Sequence, residues 1–482
     1  MNKKMILYTI SRIMILEALL MILPILVGFW YKEDMVTIGA FLKTILVIIV
    51  IFLYPAIRRP VNEKIYIREG MIIAGLSWFI MSFFGGLPFF FSREIPSLID
   101  CFFETASGFT TTGSTIINDL SLISNSILFW RSFTHFVGGM GVLVLALAVF
   151  PEISTSSVQI MKAEVPGPQF GKIMSKLSNT ARILYLMYVV MTIVLIFILI
   201  LVGMPIFDSI LHAFGTAGTG GFGIKNGSIL PYNSPVIEMV LAVGMLIFGV
   251  NFNLYYLILI GKAKDAFKSE ELKIYLGIVL GACVLILFDV QSRYATLHHG
   301  LRDVFFTVSS IITTTGFSTA DFGDWPVMSK WVLLMLMFIG ACAGSTAGGL
   351  KVSRIIIIVK SAFNEVRKSI SPHRALSVKF EGKRLDSTTE RGVVGYFLVY
   401  CVLFAFFTLI VSIDAPDFKS SFSAVAATYN NIGPGLGVVG PANSFAEMSD
   451  LSKVALSIAM ITGRLELFPV IAIFAPQTWR DN

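Results

Sequence analysis

Charge is scarce in this chain. Of its 482 residues only 14% are Asp, Glu, Lys or Arg, against 55% hydrophobic, and the mean hydropathy is +0.80. Soluble domains carry charge on about a quarter of their residues, so a water-facing globular protein is excluded and an integral membrane protein is implied. Cysteine is scarce too. Cys101, Cys283, Cys342 and Cys401 are scattered, form no CxxC pair and lie in or beside apolar stretches, which excludes a disulfide framework or thiolate metal site and leaves small buried hydrophobes. Histidine occurs five times, at 135, 212, 298, 299 and 373, none of them in helical pairing with Ser345.

What is abundant is apolar length. A helix of about 20 apolar residues crosses the ~30 Å hydrocarbon layer, and ten stretches qualify: 5–30, 35–54, 70–91, 126–150, 182–204, 236–260, 272–289, 328–349, 392–413 and 453–475. The first follows Lys3 and Lys4, is too long for a signal-peptide core and lacks a small-residue cleavage site, so it reads as a retained span. Every second loop is basic: Arg58, Arg59, Lys64 and Arg68; Lys162, Lys172, Lys176 and Arg182; Lys262, Lys264 and Lys268; and a long run from Lys351, Arg354, Lys360, Arg367, Lys368 and Arg374 to Lys379, Lys383 and Arg384. The positive-inside rule places these loops and both termini in the cytoplasm. The net charge of +7 then belongs to the membrane surface and its lipids, with no nucleic-acid partner required.

The opposite loops each hold a moderately apolar segment too short to span. Aligned on an aspartate they read DCFFETASGFTTTGST from Asp100, DSILHAFGTAGTGGFG from Asp208 and DVFFTVSSIITTTGFS from Asp303, with Gly113, Gly221 and Gly316 each 13 residues further on. A looser fourth copy, FKSSFSAVAATYNNIGPGLG, has Asp417 sixteen residues before Gly433. Repetition at about 95 to 117 residues is a repeat architecture. Each unit reads as span, short re-entrant helix capped by its aspartate, polar glycine loop, span.

The physics of that unit is restrictive. An aspartate is a good helix N-cap, and a dozen residues at ~1.5 Å each reach only about half-way through the apolar layer. The Thr, Asn and Gly that follow leave backbone carbonyls unpaired at membrane depth, tolerated only in protein or beside water. Four such loops around one axis would offer a cation a ring of carbonyls in place of its hydration shell, with helix C-termini aimed inward. Glycine lets the backbone bend and present its oxygens without a side chain in the way.

At TTTGST (110–115), AGTGGFG (217–223), TTTGFS (313–318), NNIGPGLG (430–437), GSTAGGLK (344–351) and GRLELFP (463–469) the chain resembles the Trk, Ktr and HKT superfamily of potassium transporters, and within it the TrkH-like pore subunits. The resemblance runs the length of the sequence. It implies an all-α membrane protein of four pseudo-repeats around one pore: 1–66 as two extra spans, then repeats at 67–165, 166–265, 266–385 and 386–482. It implies a potassium filter of Thr111, Thr112 and Gly113; Thr219, Gly220 and Gly221; Thr314, Thr315 and Gly316; and Asn431, Ile432 and Gly433. Gly220 and Gly435 stay open as alternatives for the shared glycine. It implies a gating loop at Gly344, Ser345, Thr346, Ala347, Gly348, Gly349 and Lys351, which otherwise reads as small residues for close helix packing. Arg464, costly inside a membrane, becomes a constriction of the permeation path; the plainer reading is a snorkelling arginine or one paired with a carboxylate such as Glu466. The resemblance also implies a homodimer in the bacterial cytoplasmic membrane, docked through the basic loops 262–268 and 351–384 on a cytosolic ring of nucleotide-binding RCK domains. Potassium ions would be the pore's cargo, with any nucleotide held by the partner.

Several signals compete. GTGGFG (218–223) and GLGVVG (435–440) match G-x-G-x-x-G but follow no strand. GSTAGGLKVS misses a phosphate-binding loop because Leu350 stands where a lysine is required. Ser345 could suggest an intramembrane hydrolase, yet no histidine is placed as its base. His135 and His212 read as packed polar residues, and Glu104 and Asp119 as weaker candidates, beside Asp100, Asp208 and Asp303, for attracting cations to an outer mouth. Within transport, a sodium-permeable mode or a K⁺/Na⁺- or H⁺-coupled symport is the alternative; the resemblance implies that a glycine at position 113, where a serine would go with sodium permeability, favours potassium.

Overall fold

The computed structural model describes residues 1–141, 177–371 and 376–480. Lys162, Lys172, Lys176, His373 and Arg374, the tail of the expected span 126–150 and the expected boundary at 165/166 lie outside the described residues. Among the described residues the chain is helical apart from one hairpin, β1 (Lys379–Phe380) paired antiparallel with β2 (Lys383–Arg384).

Asn2 starts the first helix by accepting the Met5 N–H at 3.2 Å. Helices α1 (Lys3–Leu20) and α2 (Ile22–Trp30) run on as one apolar rod, and α3 (Met35–Ile57) packs back against it. The chain then repeats one plan. The first unit holds α4 (Ile67–Ser92), the short α5 (Leu98–Phe109) and α6 (Asn125–Gly139). The second holds α7 (Leu177–Leu201), short α8 (Ile206–Gly218), α9 (Pro235–Phe248) and α10 (Phe252–Leu259), followed by the connector α11 (Ala263–Lys268). The third holds α12 (Glu270–Val290), short α13 (Leu297–Ile312), α14 (Val327–Ile339) and α15 (Val352–Ile370), followed by the hairpin. The fourth holds α16 (Ser387–Val411), short α17 (Phe418–Tyr429), α18 (Asp450–Arg464), α19 (Phe468–Phe474) and the final turn α20 (Pro476–Trp479).

Among the described residues, the expected spans 236–260, 328–349 and 453–475 are broken, and α6 ends at Gly139 inside the expected span 126–150. The stretch 236–260 bends by 88° between α9 and α10. The stretch 328–349 is helical only through Ile339, where Gly340 turns to φ 71°. The stretch 453–475 breaks at Glu466 and Leu467, both at left-handed φ. Thirteen residues of α14 rise only about 20 Å, so the chain leaves helical geometry inside the apolar layer, where its polar backbone needs protein partners.

Burial follows this plan. Leu46, Val50, Val284, Phe288, Val402 and Leu409 on the long helices are exposed, as lipid-facing residues must be, while the short helices are exposed at their starts and enclosed at their ends. Close approach comes from glycine: a Cβ on Gly138 of α6 would strike the carbonyl of Phe109 at the end of α5, and one on Gly463 of α18 that of Tyr429 at the end of α17. Both termini meet on one face. Asn2 Nδ2 donates to Asn62 O at 2.8 Å, and the Arg68 guanidinium donates to the carbonyls of Thr478 and Arg480. Two counted loop charges belong elsewhere: Lys351 and Arg354 are 2% and 5% exposed, inside the protein.

Candidate functional site

The four short helices end in the same turn. Thr112 N donates to Ser107 O at 2.8 Å, Gly220 N to Gly215 O at 2.8 Å, Thr315 N to Ser310 O at 2.9 Å and Ile432 N to Ala427 O at 2.8 Å. One residue earlier, Thr111, Thr219, Thr314 and Asn431 lie at φ 55–56°, and one residue later Gly113, Gly221, Gly316 and Gly433 lie at φ 69–106°. This pattern fixes the register. Gly221 and Gly433 are the shared glycines; Gly220 faces the His135 ring, and Gly435 donates its N–H to Val439 O at 2.7 Å, away from the turn. A β-branched threonine at left-handed φ is a strained conformation, of the kind that persists where the surroundings over-determine it.

The four turns close on one another. A Cβ on Gly113 would strike Gly220 O, one on Gly221 Thr315 O, one on Gly316 Ile432 O, and one on Gly433 would come within 2.9 Å of Thr112 O. The ring therefore runs in chain order, which sets loops one and three opposite each other. All four glycines line one cavity of about 360 Å³, open on the face opposite the termini, with Ser114, Ser318, Lys225 and Glu447 in its wall.

Beneath the ring lies a layer built from the broken helices. Arg464, 8% exposed, donates from Nη1 to Thr346 O and from Nη2 to Gly138 O and Gly139 O, each at 2.6 Å. Glu466 is gripped by the Arg354 guanidinium, which also lies 4.0 Å over the Tyr396 ring. The segment 340–351 threads this layer. Gly344 O accepts from Phe252 N at 3.0 Å, Cys342 N donates to Gly249 O at 3.1 Å, and the Lys351 ammonium bonds Ala347 O. Gly348 N donates to the Thr314 hydroxyl at 2.7 Å, tying the segment to the ring. The Ser345 hydroxyl is spent on Cys342 O at 2.7 Å, while His135 Nδ1 meets Gly108 O and His212 Nδ1 meets Asp208 O.

Sequence reasoning misplaced the aspartates. Asp100 is the third residue of α5, whose cap is Ser97, and it pairs with Lys453 at 2.7 Å. Asp208 is the third residue of α8 after Pro205, held by Tyr232 Oη at 2.6 Å and Lys225 at 3.1 Å. Asp303 lies two turns into α13, which starts at the Thr296 cap, and sits 3.8 Å from both Arg302 and His299. Only Asp417 caps, accepting Ser420 N at 2.7 Å. The shared spacing reflects the end of each helix, where the turn is common, and the starts differ. Glu104 is no mouth residue either: it is buried and paired with Arg131 at 2.5 Å. Asp119 is half-buried, and bonds first from Asn226 and then from Ser121 hold its carboxylate below the ordinary value.

Glu271 was missed altogether. Its Oε1 accepts from Ala343 N at 2.7 Å and Ser353 N at 3.0 Å, clasping both ends of the 340–351 segment. In sequence it is one more glutamate in a helix's first turn, with nothing to mark a partner about 70–80 residues away.

Fold and site together define a polytopic all-α membrane transporter rather than an enzyme. The chain belongs to the TrkH family, described as cation transport protein, whose sequence pattern matches residues 38–294 and 278–480. It is 37% identical over 470 residues to the Trk system potassium uptake protein TrkH of Salmonella typhimurium, covering 96% of each chain, and 34% identical over 473 residues to the Trk system potassium uptake protein TrkG of Escherichia coli, covering 97% of this chain and 96% of the relative. Among solved structures it superposes on the potassium transporter TrkH from Vibrio parahaemolyticus with TM-score 0.89, 31% identity and full coverage of both chains.

Proposed function

We propose that this protein takes up potassium across the bacterial inner membrane through a gated pore whose filter is the ring of four glycine turns. The observation that carries this reading is the closure of that ring, each glycine against the carbonyl of the next loop, below a cavity lined by all four. Backbone oxygens replacing hydration water suit a monovalent cation, and the names of the relatives supply potassium. Thr111 and Thr112, Thr219 and Gly220, Thr314 and Thr315, and Asn431 and Ile432 supply the remaining filter backbone. The segment from Gly344 to Lys351 acts as the gate, and Arg464, cross-linking it to Gly138 and Gly139, as the constriction below the filter. We read 1–66 as an addition to repeats at 67–165, 166–265, 266–385 and 386–482. The basic terminal face is cytoplasmic by the positive-inside rule. A homodimer on a nucleotide-binding cytosolic ring follows from the family resemblance, and the relatives' designation as parts of a Trk system supports a regulatory partner.

Purified protein in liposomes tests this. Potassium or rubidium flux that is lost on Gly316→Ser and kept on Ser345→Ala supports the pore, and the reverse pattern overturns it. Reversal potentials under opposed potassium and sodium gradients separate a potassium-selective channel from a coupled or sodium-permeable mode.

A further inference from the structure

The four loops are not held from behind in the same way. Loop three is backed by its own helix, Ser310 Oγ donating to Phe317 O at 2.6 Å. Loop four is backed likewise, the Ser423 hydroxyl donating to Leu436 O and accepting Leu436 N, both at 2.9 Å. Loops one and two have a shared support. Glu104 on α5 accepts from Thr115 Oγ1 and Ile116 N at 2.9 Å, gripping the strand of chain that leaves Gly113. Arg131 on α6 bonds Glu104 at 2.5 Å, donates from Nη1 to Gly223 O at 2.8 Å and lies 3.6 Å over the Phe222 ring, gripping the strand that leaves Gly221. The two side chains are 0% and 1% exposed.

We propose that the Glu104–Arg131 pair consists of positioning residues that set ion discrimination by fixing the distance between filter loops one and two; this rests on the filter reading above. A buried ion pair is a costly support, kept where both charges are bonded on all sides, and here each partner's remaining bonds go to the outward continuation of a different filter loop. A serine reaches one backbone; only a carboxylate joined to a guanidinium spans two loops. Nine residues before the shared glycines stand Glu104, His212, Thr307 and Ala424, so the charged strut belongs to one sector of the ring. Cation discrimination depends on the spacing and field of the coordinating oxygens, and in this sector both are set by a fork whose planar geometry lysine cannot reproduce.

The test is the reversal potential of purified protein in liposomes under opposed potassium and sodium gradients, for wild type, Arg131→Lys, Glu104→Gln and the milder Phe222→Leu. Arg131→Lys keeps the charge beside Glu104 but cannot also reach Gly223 O and lie flat on Phe222. We expect the potassium-over-sodium ratio to fall about tenfold in Arg131→Lys and Glu104→Gln, and by a smaller factor in Phe222→Leu. A merely structural role lowers yield and both fluxes together and leaves the ratio unchanged. Unchanged ratios in the variants that fold overturn the assignment, and Phe222→Leu, which leaves the ion pair intact, decides if the charged variants do not fold. A wild type with no preference for potassium instead overturns the filter reading itself.

Discussion

Loops one and three carry the same Thr-Thr-Thr-Gly and adopt the same turn, with Thr111 and Thr314 both at φ 55° and the glycines at 82° and 87°. Their surroundings differ. Thr111 turns its hydroxyl onto its own neighbour, Thr110 O, at 2.7 Å, and its loop is secured by the Glu104–Arg131 pair. Thr314 offers its hydroxyl to Gly348 N, so its loop is fastened to the segment beneath the ring. One sequence thus makes one backbone twice, while position decides whether that backbone leans on a fixed strut or on an element that the proposed function requires to move. The ring has a still side and a coupled side.

Substitutions at matched positions break or sharpen this contrast. The largest effect is expected where the two loops are alike: Gly113→Ala and Gly316→Ala each force a Cβ into a neighbouring carbonyl at positive φ, and both should abolish selective flux. A tolerated alanine at either site would show that the two are not equivalent. Next, Glu271→Ala strands the amides of Ala343 and Ser353, each orphaned buried N–H costing about 1–3 kcal/mol; single-channel recording should show the open fraction changed with unitary selectivity intact. Altered selectivity there would place Glu271 in the filter's support instead. Thr314→Val should shift opening in the same assay by about 1–3 kcal/mol, because Gly348 N loses its acceptor, whereas Thr111→Val, equally β-branched, should change opening little.

The smallest effect is on pH. Asp417 is the titrating N-cap of α17, and the Ser420 N–H holds its carboxylate below the ordinary value. A depressed carboxylate contributes stability that is present above its unfolded value and lost as pH falls through the lowered one. Thermal unfolding in detergent should therefore soften slightly on acidification, and Asp417→Asn, which still caps, should remove that component. Loops one and three, capped at their helices by Ser97 and Thr296, lack this titration.

Much of this was legible in the sequence. The repeat of glycine turns, the break in the helix at 344–351 and the need of Arg464 for buried partners follow from polar residues in apolar surroundings, where few structures are physically allowed. Which glycine of repeats two and four is shared was not legible, because GG and GPG each offer two residues able to take positive φ and only the backbone decides. Asp100 and Asp208 misled because an acid in a helix's first turn is favoured by the dipole as well as by capping, and Asp303 because spacing counted back from the glycine does not show that its helix starts earlier, at the Thr296 cap. Breaks inside α9–α10 and α18–α19 were invisible to hydropathy, which counts apolar residues and not their φ. The partners of Glu104 and Glu271 are long-range, fixed by packing that no local pattern records.

The ring also carries a timetable. Its last joint, where Ser114 Oγ donates to Gly433 O at 2.9 Å and Asn431 Nδ2 to Thr112 Oγ1 at 3.0 Å, links residues 319 apart. At about 5–20 residues added per second, the first loop leaves the ribosome on the order of tens of seconds before the fourth exists. Through the last part of that interval three walls stand around an open side, and what must then be shielded from the bilayer is the same row of carbonyls that the finished protein would turn toward an ion.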